Sequence, residues 1–262
     1  MARVQAGRLA IHGGTPVRAA EKTWPKWPIV DEAGRAALLE VFDSGKWWYG
    51  ERVSRFEESF AAFQDARACV TCTSGTTAAE ICVQALGIGP GDEVIVPAYT
   101  FIATASSVLR MGARPVFVDV DASWCMDPDA AEAAVTPRTK AIMPVHFGSR
   151  IADMDRLNAI AARHGLAVIE DACHSWGGKW KGKGTGALGR CGVFSFQMSK
   201  NMTAGEGGAI VTDDLELAER CRSIANCGRV KGGQWYSHEV VGTNARMTEF
   251  AAKHRLRLRP HA

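Results

Sequence analysis

The stretch FSFQMSKNMTAGEGG, residues 194–208, decides how the rest of the chain is interpreted. An apolar strand enters a short polar turn, a single lysine follows at position 200, and a glycine-rich return leads into the next apolar run. A partly desolvated lysine favours its neutral amine, which is the form that attacks carbonyl carbons. Lys200 is therefore the first candidate catalytic residue, and we expect it just beyond a strand end.

Apolar strands and amphipathic helices alternate on both sides of this stretch. Val94–Val96, Ala141–Val145 and Leu166–Ile169 are short runs rich in apolar residues, and Asp153–His164 between them has helical periodicity. Near-continuous apolar strands separated by helices indicate a mostly parallel sheet that is covered on both faces. The sequence therefore predicts an α/β fold, a three-layer αβα sandwich with a mostly parallel sheet.

The chain divides into three predicted segments. Residues 1–30 are expected to be an N-terminal arm, residues 31–250 a large cofactor-binding domain, and residues 251–262 a basic tail. The first helix of the large domain is predicted over residues 31–43, with apolar residues at positions 38, 39, 41 and 42 and Gly45 placed to end it. The tail is either a functional cationic segment or an abrupt chain end, and its lack of a recognition pattern favours the second.

The composition narrows the classes of partner. The 262 residues carry a net charge of +3 from 31 basic and 28 acidic residues, without a basic stripe, so nucleic acid is not expected. No apolar run reaches the roughly 18–20 residues that cross a bilayer, and the N-terminus lacks the apolar core of a signal peptide. Eight cysteines are too sparse for a disulfide framework, and Cys69–Cys72 has no second ligand pair for zinc. We expect a cytoplasmic protein with no metal.

A candidate phosphate site follows the strand predicted over Ala68–Thr71. Ser74-Gly75-Thr76 offers hydroxyl groups, an unhindered backbone and the N-terminus of the next helix, which together suit an anion. Ser195 can add a further hydroxyl group. The same tripeptide is common as a plain helix cap, so on its own it leaves both interpretations open.

A candidate carboxylate ends the apolar run Val168-Ile169-Glu170-Asp171. Asp171 can hold a pyridine nitrogen in its protonated form, because at about 4 Å and an effective dielectric near 20 the attraction is roughly 4 kcal/mol. A helix cap or a surface salt bridge is the alternative for an isolated aspartate. Since ligands of open α/β sheets bind beyond the carboxyl ends of the strands, Ser74, Asp171 and Lys200 are expected to share one pocket. An amine, a carboxylate and a phosphate cradle are the parts that hold pyridoxal 5'-phosphate (PLP).

Further candidates are less specific. Phe101 can stack on the cofactor ring or belong to the core, and His174 can lie beside the ring or be a structural histidine. His146 is a weaker pocket candidate, for which a structural role is the simpler explanation. The aromatic run Trp47-Trp48-Tyr49-Gly50 either lines a substrate pocket or packs two helices together.

These positions and several others resemble the motifs of a known family, the DegT/DnrJ/StrS sugar aminotransferases. These are fold-type I enzymes of the aspartate aminotransferase superfamily. The run Phe194–Lys200 with Gly205–Gly208 resembles the family's cofactor-lysine motif, and the opening His12–Arg18 is similar to members that aminate cyclitols and keto-sugars. The other matching motifs, in the same order as in the family, are Ser74-Gly75-Thr76, Pro97 with Thr100-Phe101, Asp171-Ala172-Cys173-His174 and Asn244-Ala245-Arg246-Met247-Thr248-Glu249.

The resemblance implies a role for each matching residue. Lys200 would form the Schiff base with PLP and move the proton between substrate and cofactor carbons, and Asp171 would hold the pyridine nitrogen. Phe101 would stack on the ring. Asn244 would reach the phosphate of the neighbouring subunit's cofactor, which implies a homodimer. The residues that would hold the phosphate are Gly75, Thr76 and Ser195. A lysine at position 200 argues against the members of the family that carry histidine there and dehydrate sugars.

The resemblance also implies a reaction and a departure from the family. The reaction is transfer of an amino group from glutamate or glutamine to a keto-sugar or ketocyclitol, in natural-product or cell-surface sugar biosynthesis. The family continues past Phe250 into a smaller C-terminal domain, and this chain is expected to lack most of it. Two alternatives stay open: a non-catalytic fragment that keeps the fold, and a PLP enzyme that makes an aromatic amine such as an aminohydroxybenzoate.

Overall fold

A computed structural model describes residues 8–18, 21–24, 26–148, 150–230, 232–234 and 236–253. The described residues belong to two compact units, one within residues 1–30 and the other within residues 31–262. In the described part of the first unit, a 3-10 turn over Ala10–His12 ends at Gly13, whose positive φ of 87° favours glycine. The predicted basic tail lies, from residue 254 onward, outside the described residues.

The second unit alternates strands and helices along the chain. Its helices are α1 (Glu32–Ser44), α2 (Glu51–Phe63), α3 (Gly75–Ala85), α4 (Ala103–Arg110), α5 (Pro128–Ala133), α6 (Met154–His164), α7 (Leu215–Ala225) and α8 (Glu249–Lys253). Its strands are β1 (Ala68–Cys72), β2 (Glu93–Pro97), β3 (Arg114–Val118), β4 (Thr139–Ile142), β5 (Ala167–Asp171), β6 (Lys179–Trp180), β7 (Lys183–Gly184), β8 (Cys191–Ser195) and β9 (Gly208–Thr212).

The main sheet has seven strands in the order β1-β9-β8-β5-β4-β2-β3, and β6 and β7 form a separate hairpin. Strand β9 is antiparallel to both of its neighbours, β1 and β8. The remaining pairs, from β8 across β5, β4 and β2 to β3, are parallel. The mostly parallel sheet that the sequence predicts is therefore confirmed.

The central strands are buried on both faces, which explains their continuous apolar runs. Successive side chains point to opposite faces: in β2, Val94 and Val96 join the core beneath α3, α4 and α7, whereas Ile95 joins the core beneath α5 and α6. Strands β8 and β9 alternate in the same way, with Phe194 and Val211 packed against α2. Helices thus cover both faces of the sheet, and the predicted three-layer arrangement is confirmed.

Short polar side chains fix where the helices begin. Asp31, Asp153 and Asp214 each accept a hydrogen bond from a backbone amide in the first turn of α1, α6 and α7. Gly45 ends α1 with a φ of 62°, as its position in the sequence predicts.

The predicted first helix is confirmed as α1, but most of its apolar side chains are exposed. Val41 is fully buried, but Leu38, Leu39 and Phe42 are 37%, 53% and 59% exposed. The reason is that α1 packs mainly against α8 and not on the sheet. Among the described residues no helix is long and apolar enough to span a membrane.

Candidate active site

A cavity of about 710 Å³ lies where the loops after β1, β2, β5 and β8 meet. These loops follow the carboxyl ends of parallel strands, which is where ligands of α/β sheets bind. Of the predicted site residues, those that line the cavity are Gly75, Thr76, Phe101, Asp171, His174, Ser195 and Lys200. Residues that are distant in the sequence are thus brought to one site.

The N-terminus of α3 forms one wall of the cavity. Ser74 caps the helix, because its Oγ accepts a hydrogen bond from the Thr77 amide at 3.1 Å. The first bond within the helix runs from the Ala78 amide to the Ser74 carbonyl, so the Gly75 and Thr76 amides have no acceptor inside the helix. Amides in this position, with the helix dipole, suit an anion. The cap and phosphate interpretations of this motif are therefore compatible.

Glycine at position 75 lets this wall approach its neighbours closely. A Cβ atom there would lie 2.8 Å from Ser195 Cβ and 3.0 Å from Cys173 Sγ. Gly208 allows a similar approach from β9, since its Cβ would lie 2.2 Å from the Ser74 carbonyl oxygen. A side chain at position 75 would crowd the cavity wall, and one at position 208 would displace the backbone of Ser74, so both glycines keep the start of α3 in place.

Asp171 lies at the floor of the cavity and is 9% exposed. Its backbone is held on both sides, because its amide donates to Pro144 O at 2.8 Å and its carbonyl accepts from the His146 amide at 3.0 Å. Its carboxylate accepts two hydrogen bonds, from Thr104 Oγ1 to Oδ2 at 2.7 Å and from the Cys173 amide to Oδ1 at 3.2 Å. The carboxylate therefore has a fixed orientation in a mostly buried setting.

The loop after β8 presents Lys200 to the same cavity. The Lys200 amide donates to Gln197 O at 2.9 Å, and both the amide and the hydroxyl group of Ser199 donate to Gln197 Oε1. Further along, Gly205 adopts a positive φ of 81°, and its amide donates to Thr203 Oγ1 at 3.0 Å. The glycine-rich return in the sequence thus serves to close this loop back onto β9.

His174 lies between the charged groups of the site. Burial lowers the pKa of His174, the charge of Lys200 lowers it further, and Asp171 opposes both. The imidazole is consequently neutral near pH 7. Burial also raises the pKa of the Cys173 thiol, with the Asp171 charge acting in the same direction, so this thiol stays protonated. Phe101 is 69% exposed at the rim, where its ring is free to cover a ligand.

The remaining candidates lie elsewhere. Asn244 is exposed and forms a β-bridge with Asn226, outside the cavity lining. His146 is fully buried, and its Nε2 lies 2.9 Å from Glu170 Oε2, which is a structural arrangement. Trp47 packs against Phe42, with ring centres 5.7 Å apart.

A second cavity of about 470 Å³ lies beside the edge strand β1. Trp48 and Tyr49, from the aromatic run at 47–50, form part of its wall. Cys69 and Cys72 are buried free thiols, as the packing interpretation predicts. Among the described residues, no cluster of histidine, cysteine and acidic side chains could hold a metal ion.

Sequence reasoning missed several residues of the cavity. Tyr99 and Phe147 line it, with ring centres 4.7 Å apart, and Gln197 and Glu206 complete the side that carries Lys200. All four lie in loops that follow or connect strand ends, and this position was the available signal. Thr104 reaches Asp171 from α4, and nothing in its local sequence indicates that contact.

The fold and the site together define a class, the cofactor-binding large domain of PLP-dependent aminotransferases. The chain belongs to the DegT/DnrJ/EryC1/StrS aminotransferase family, which residues 28–257 match. The predicted family is therefore confirmed.

Curated relatives support this membership. The chain is 46% identical over 234 residues to 3-amino-5-hydroxybenzoate synthase of Amycolatopsis mediterranei (strain S699), a match that covers 87% of this chain and 60% of that protein. It is 41% identical over 264 residues to L-glutamine:2-deoxy-scyllo-inosose aminotransferase of Streptomyces lividus, covering 94% and 62%. The chain thus spans about three fifths of the length of these relatives.

Solved structures agree with the fold. The crystal structure of 3-amino-5-hydroxybenzoic acid synthase superimposes with a TM-score of 0.86 at 45% identity, covering 89% of this chain and 62% of that one. NtdA from Bacillus subtilis, solved with bound cofactor PMP, superimposes with a TM-score of 0.79 at 36% identity, covering 85% and 51%. PMP is the aminated form of PLP, so the cofactor that the sequence predicts is the one used in this family.

Proposed function

We propose that this chain binds PLP in the 710 Å³ cavity and that the whole protein aminates a small cyclic ketone, a ketocyclitol or keto-sugar. The amino donor is glutamine or glutamate. One observation carries the proposal: a lysine, a mostly buried carboxylate and a helix N-terminus line a single cavity. These are the three groups that PLP chemistry requires.

The residues present fit the cofactor. The amides of Gly75 and Thr76 and the hydroxyl group of Ser195 would hold the phosphate, because the missing side chain at position 75 leaves the cradle open. Asp171 would accept a hydrogen bond from the ring nitrogen, and Phe101 would cover one face of the ring. When bound, PLP supplies an electron sink for the bonds at the substrate's amine-bearing carbon.

Lys200 and His174 would divide the remaining work. Lys200 Nζ would take the proton from the α carbon of the amino donor and deliver it to a carbon of the cofactor. A lysine on a loop can reach both carbons. His174, neutral because of burial, can hydrogen-bond the ring substituents without adding charge. Tyr99 and Phe147 would exclude water from this proton transfer.

The charges of the cavity favour a small uncharged substrate. Its charged lining residues are Lys200, Asp171 and Glu206, and no arginine occurs in the lining among the residues that the structure describes. A sugar that carries a nucleoside diphosphate would need further cations for its phosphates. A polyhydroxylated ring ketone needs none, and the Streptomyces lividus relative is named for such a substrate.

A second candidate is amination of a carbocycle on the way to an aromatic amine. Its support is the aromatic side of the cavity, where Tyr99 and Phe147 lie with ring centres 4.7 Å apart. Trp124 packs behind Tyr99, outside the cavity lining, with ring centres 5.3 Å apart. Flat rings suit a planar or flattened ligand. The 46% identical relative, 3-amino-5-hydroxybenzoate synthase, is named for a product of that kind.

We further propose a homodimer in the cytosol. Phe101 and Ile102, at the rim of the cavity, are 69% and 73% exposed, which suits a surface covered by a second copy of the chain. Asn244, outside the cavity of its own chain, would then reach the site of the other copy. The free cysteines suit a reducing compartment.

The experiment is a half-reaction with the PLP-loaded chain. Glutamine or glutamate is added, and the visible spectrum and the release of the keto acid formed from that donor are followed over one turnover. Members of a panel of ketocyclitols and keto-sugars are then added, and the return of the first spectrum is monitored. We expect glutamine or glutamate to convert the bound cofactor, and a ketocyclitol to restore it. Cofactor binding with no conversion by any amino acid would favour the alternative of a non-catalytic fragment.

A further inference from the structure

A chain of two threonine hydroxyl groups ends on the carboxylate of Asp171. Thr104 is fully buried near the start of α4, and its Oγ1 donates to Asp171 Oδ2 at 2.7 Å. Thr100, in the loop before α4, lies with its Oγ1 2.7 Å from Thr104 Oγ1. Thr100 also lines the cavity, so the chain of hydroxyl groups runs from the cavity wall to its floor.

The direction of both hydrogen bonds follows from the number of protons. A hydroxyl group has one proton, and an ionised carboxylate only accepts. The Thr104 proton is used on Asp171 Oδ2, so the proton between the two threonines must come from Thr100. Both dipoles therefore point toward the carboxylate, and bonds aligned in this way strengthen one another.

The second carboxylate oxygen is held independently. Asp171 Oδ1 accepts from the Cys173 amide at 3.2 Å. With one oxygen fixed from α4 and the other from the loop after β5, the plane of the carboxylate has little freedom to rotate. A mostly buried carboxylate needs such donors, because polar atoms that are buried without a hydrogen-bond partner cost free energy.

We infer that Thr104, supported by Thr100, is a positioning residue that holds the carboxylate of Asp171 in place and aims it at the ring nitrogen of the cofactor. This inference rests on the proposed binding of PLP in the cavity. Thr104 does not line the cavity and would not touch the cofactor. Its effect would reach the ring only through Asp171.

The contact depends on how α4 starts. The Thr104 amide donates to Phe101 O at 3.1 Å, which directs the first turn of α4 back toward β5. Ser107, also fully buried on α4, donates from its Oγ to the Thr104 carbonyl at 3.1 Å and not to Asp171. Ser107 is therefore a matched control, a buried hydroxyl group on the same helix without the link to the carboxylate.

The test compares two ligands: PLP, and an analogue in which C–H replaces the ring nitrogen. Dissociation constants are measured for the unaltered chain, Thr104→Val, Thr104→Ser, Thr100→Val and Ser107→Ala. Because Thr104 holds the carboxylate in the orientation that the ring nitrogen needs, we expect Thr104→Val to bind PLP at least tenfold more weakly, about 1.4 kcal/mol. The analogue should bind Thr104→Val and the unaltered chain within about threefold of each other, a difference under 1 kcal/mol.

The other variants keep the test decisive. Thr104→Ser retains the donor and should restore PLP binding, and Thr100→Val, which removes only the outer hydroxyl group, should weaken it by a smaller factor in the same direction. Ser107→Ala should bind both ligands as the unaltered chain does. If Thr104→Val fails to fold, as judged by circular dichroism, the comparison rests on Thr100→Val and Thr104→Ser.

Three distinct results would overturn the inference. Equal PLP binding by the unaltered chain and the threonine variants, or equal weakening of both ligands, would mean that the threonines have only a structural role. No PLP binding by the unaltered chain would overturn the proposed function itself, and the positioning role with it.

Discussion

The buried carboxylate of Glu170 gives the sharpest stability prediction. Glu170 is fully buried on β5, directly before Asp171. It accepts hydrogen bonds from the Gly186, Leu188 and Gly189 amides at 2.7, 2.7 and 2.6 Å. A fourth partner is His146, whose Nδ1 lies 3.3 Å from the Ala152 amide that donates to it. Because Nδ1 accepts that bond, Nε2 carries the proton and donates to Glu170.

Glu170→Ala removes the acceptor for all four donors. A buried donor without a partner costs about 1–3 kcal/mol, so four such donors at the lower bound amount to about 4 kcal/mol. We therefore expect a loss of about 4 kcal/mol in the free energy of unfolding, against a total of roughly 5–15 kcal/mol for a domain. Glu170→Gln keeps one acceptor oxygen and should therefore lose less free energy of unfolding than Glu170→Ala. Some loss remains, because its NH₂ group would face backbone amides that then lack an acceptor.

The assay is urea unfolding followed by circular dichroism, with Asp171→Asn as the control on the same strand. Asp171 has two donors and partial contact with the cavity, so its loss should be smaller, about 1 kcal/mol. Glu170→Ala should lower the unfolding midpoint with little change in slope. A loss of less than about 1 kcal/mol, or an equal loss in Asp171→Asn, would refute the reasoning from four satisfied donors.

Three further changes follow from the structure. Gly75→Ala places a Cβ atom 2.8 Å from Ser195 Cβ, so we expect PLP binding to weaken by tenfold or more. Gly89→Ala, whose Cβ atom would meet nothing nearer than Met111 O at 3.8 Å, should not alter binding in the same titration. Hydrogen bonds from Thr136, Arg138 and Arg114 lower the pKa of Glu93 to about 2. The stabilising effect of Glu93 is therefore complete above the unfolded pKa of 4.5 and is lost as the pH falls toward 2. Glu93→Gln should flatten the acid side of a plot of urea midpoint against pH, and an unchanged plot would contradict this. Tyr49→Phe removes a hydroxyl group 3.0 Å from Glu57 and should lower the free energy of unfolding by about 1–2 kcal/mol with PLP binding unaffected; weaker PLP binding would show that this second cavity is coupled to the first.

Local sequence patterns predicted the parts of the fold that depend on local physics. Strand and helix periodicity located the sheet and its covering helices, and caps such as Asp153 located the helix starts. The short helix α5 was missed although Asp127 and Pro128 are a cap and a first-turn proline, because six residues are too few for periodicity to register. The apolar residues of α1 helped to locate the helix, but their spacing does not show what covers them, and Leu39 and Phe42 are 53% and 59% exposed.

The residues of the candidate site also divide into those that local sequence could predict and those that depend on how distant segments pack. Lys200, Asp171 and Gly75 could be predicted, because each lies at a strand end in a recognisable local setting, and strand ends of a parallel sheet converge. The contact from Thr104 to Asp171 joins residues 67 positions apart and depends on the angle at which α4 leaves β2. The distinction between Glu170, which is structural, and Asp171, which lines the cavity, also depends on which face of β5 each side chain takes.

The central claim is that Lys200 holds PLP in a cavity that Asp171 and the start of α3 complete. The most direct measurement is the visible spectrum of the chain with PLP, followed by borohydride reduction and peptide mass analysis. Lys200→Ala is compared with Lys183→Ala, an exposed lysine paired with Asp213. We predict a lysine-dependent absorbance band and a covalent label on Lys200 in the unaltered chain and in Lys183→Ala, both lost in Lys200→Ala. The same band and label yield in Lys200→Ala as in the unaltered chain would contradict the claim.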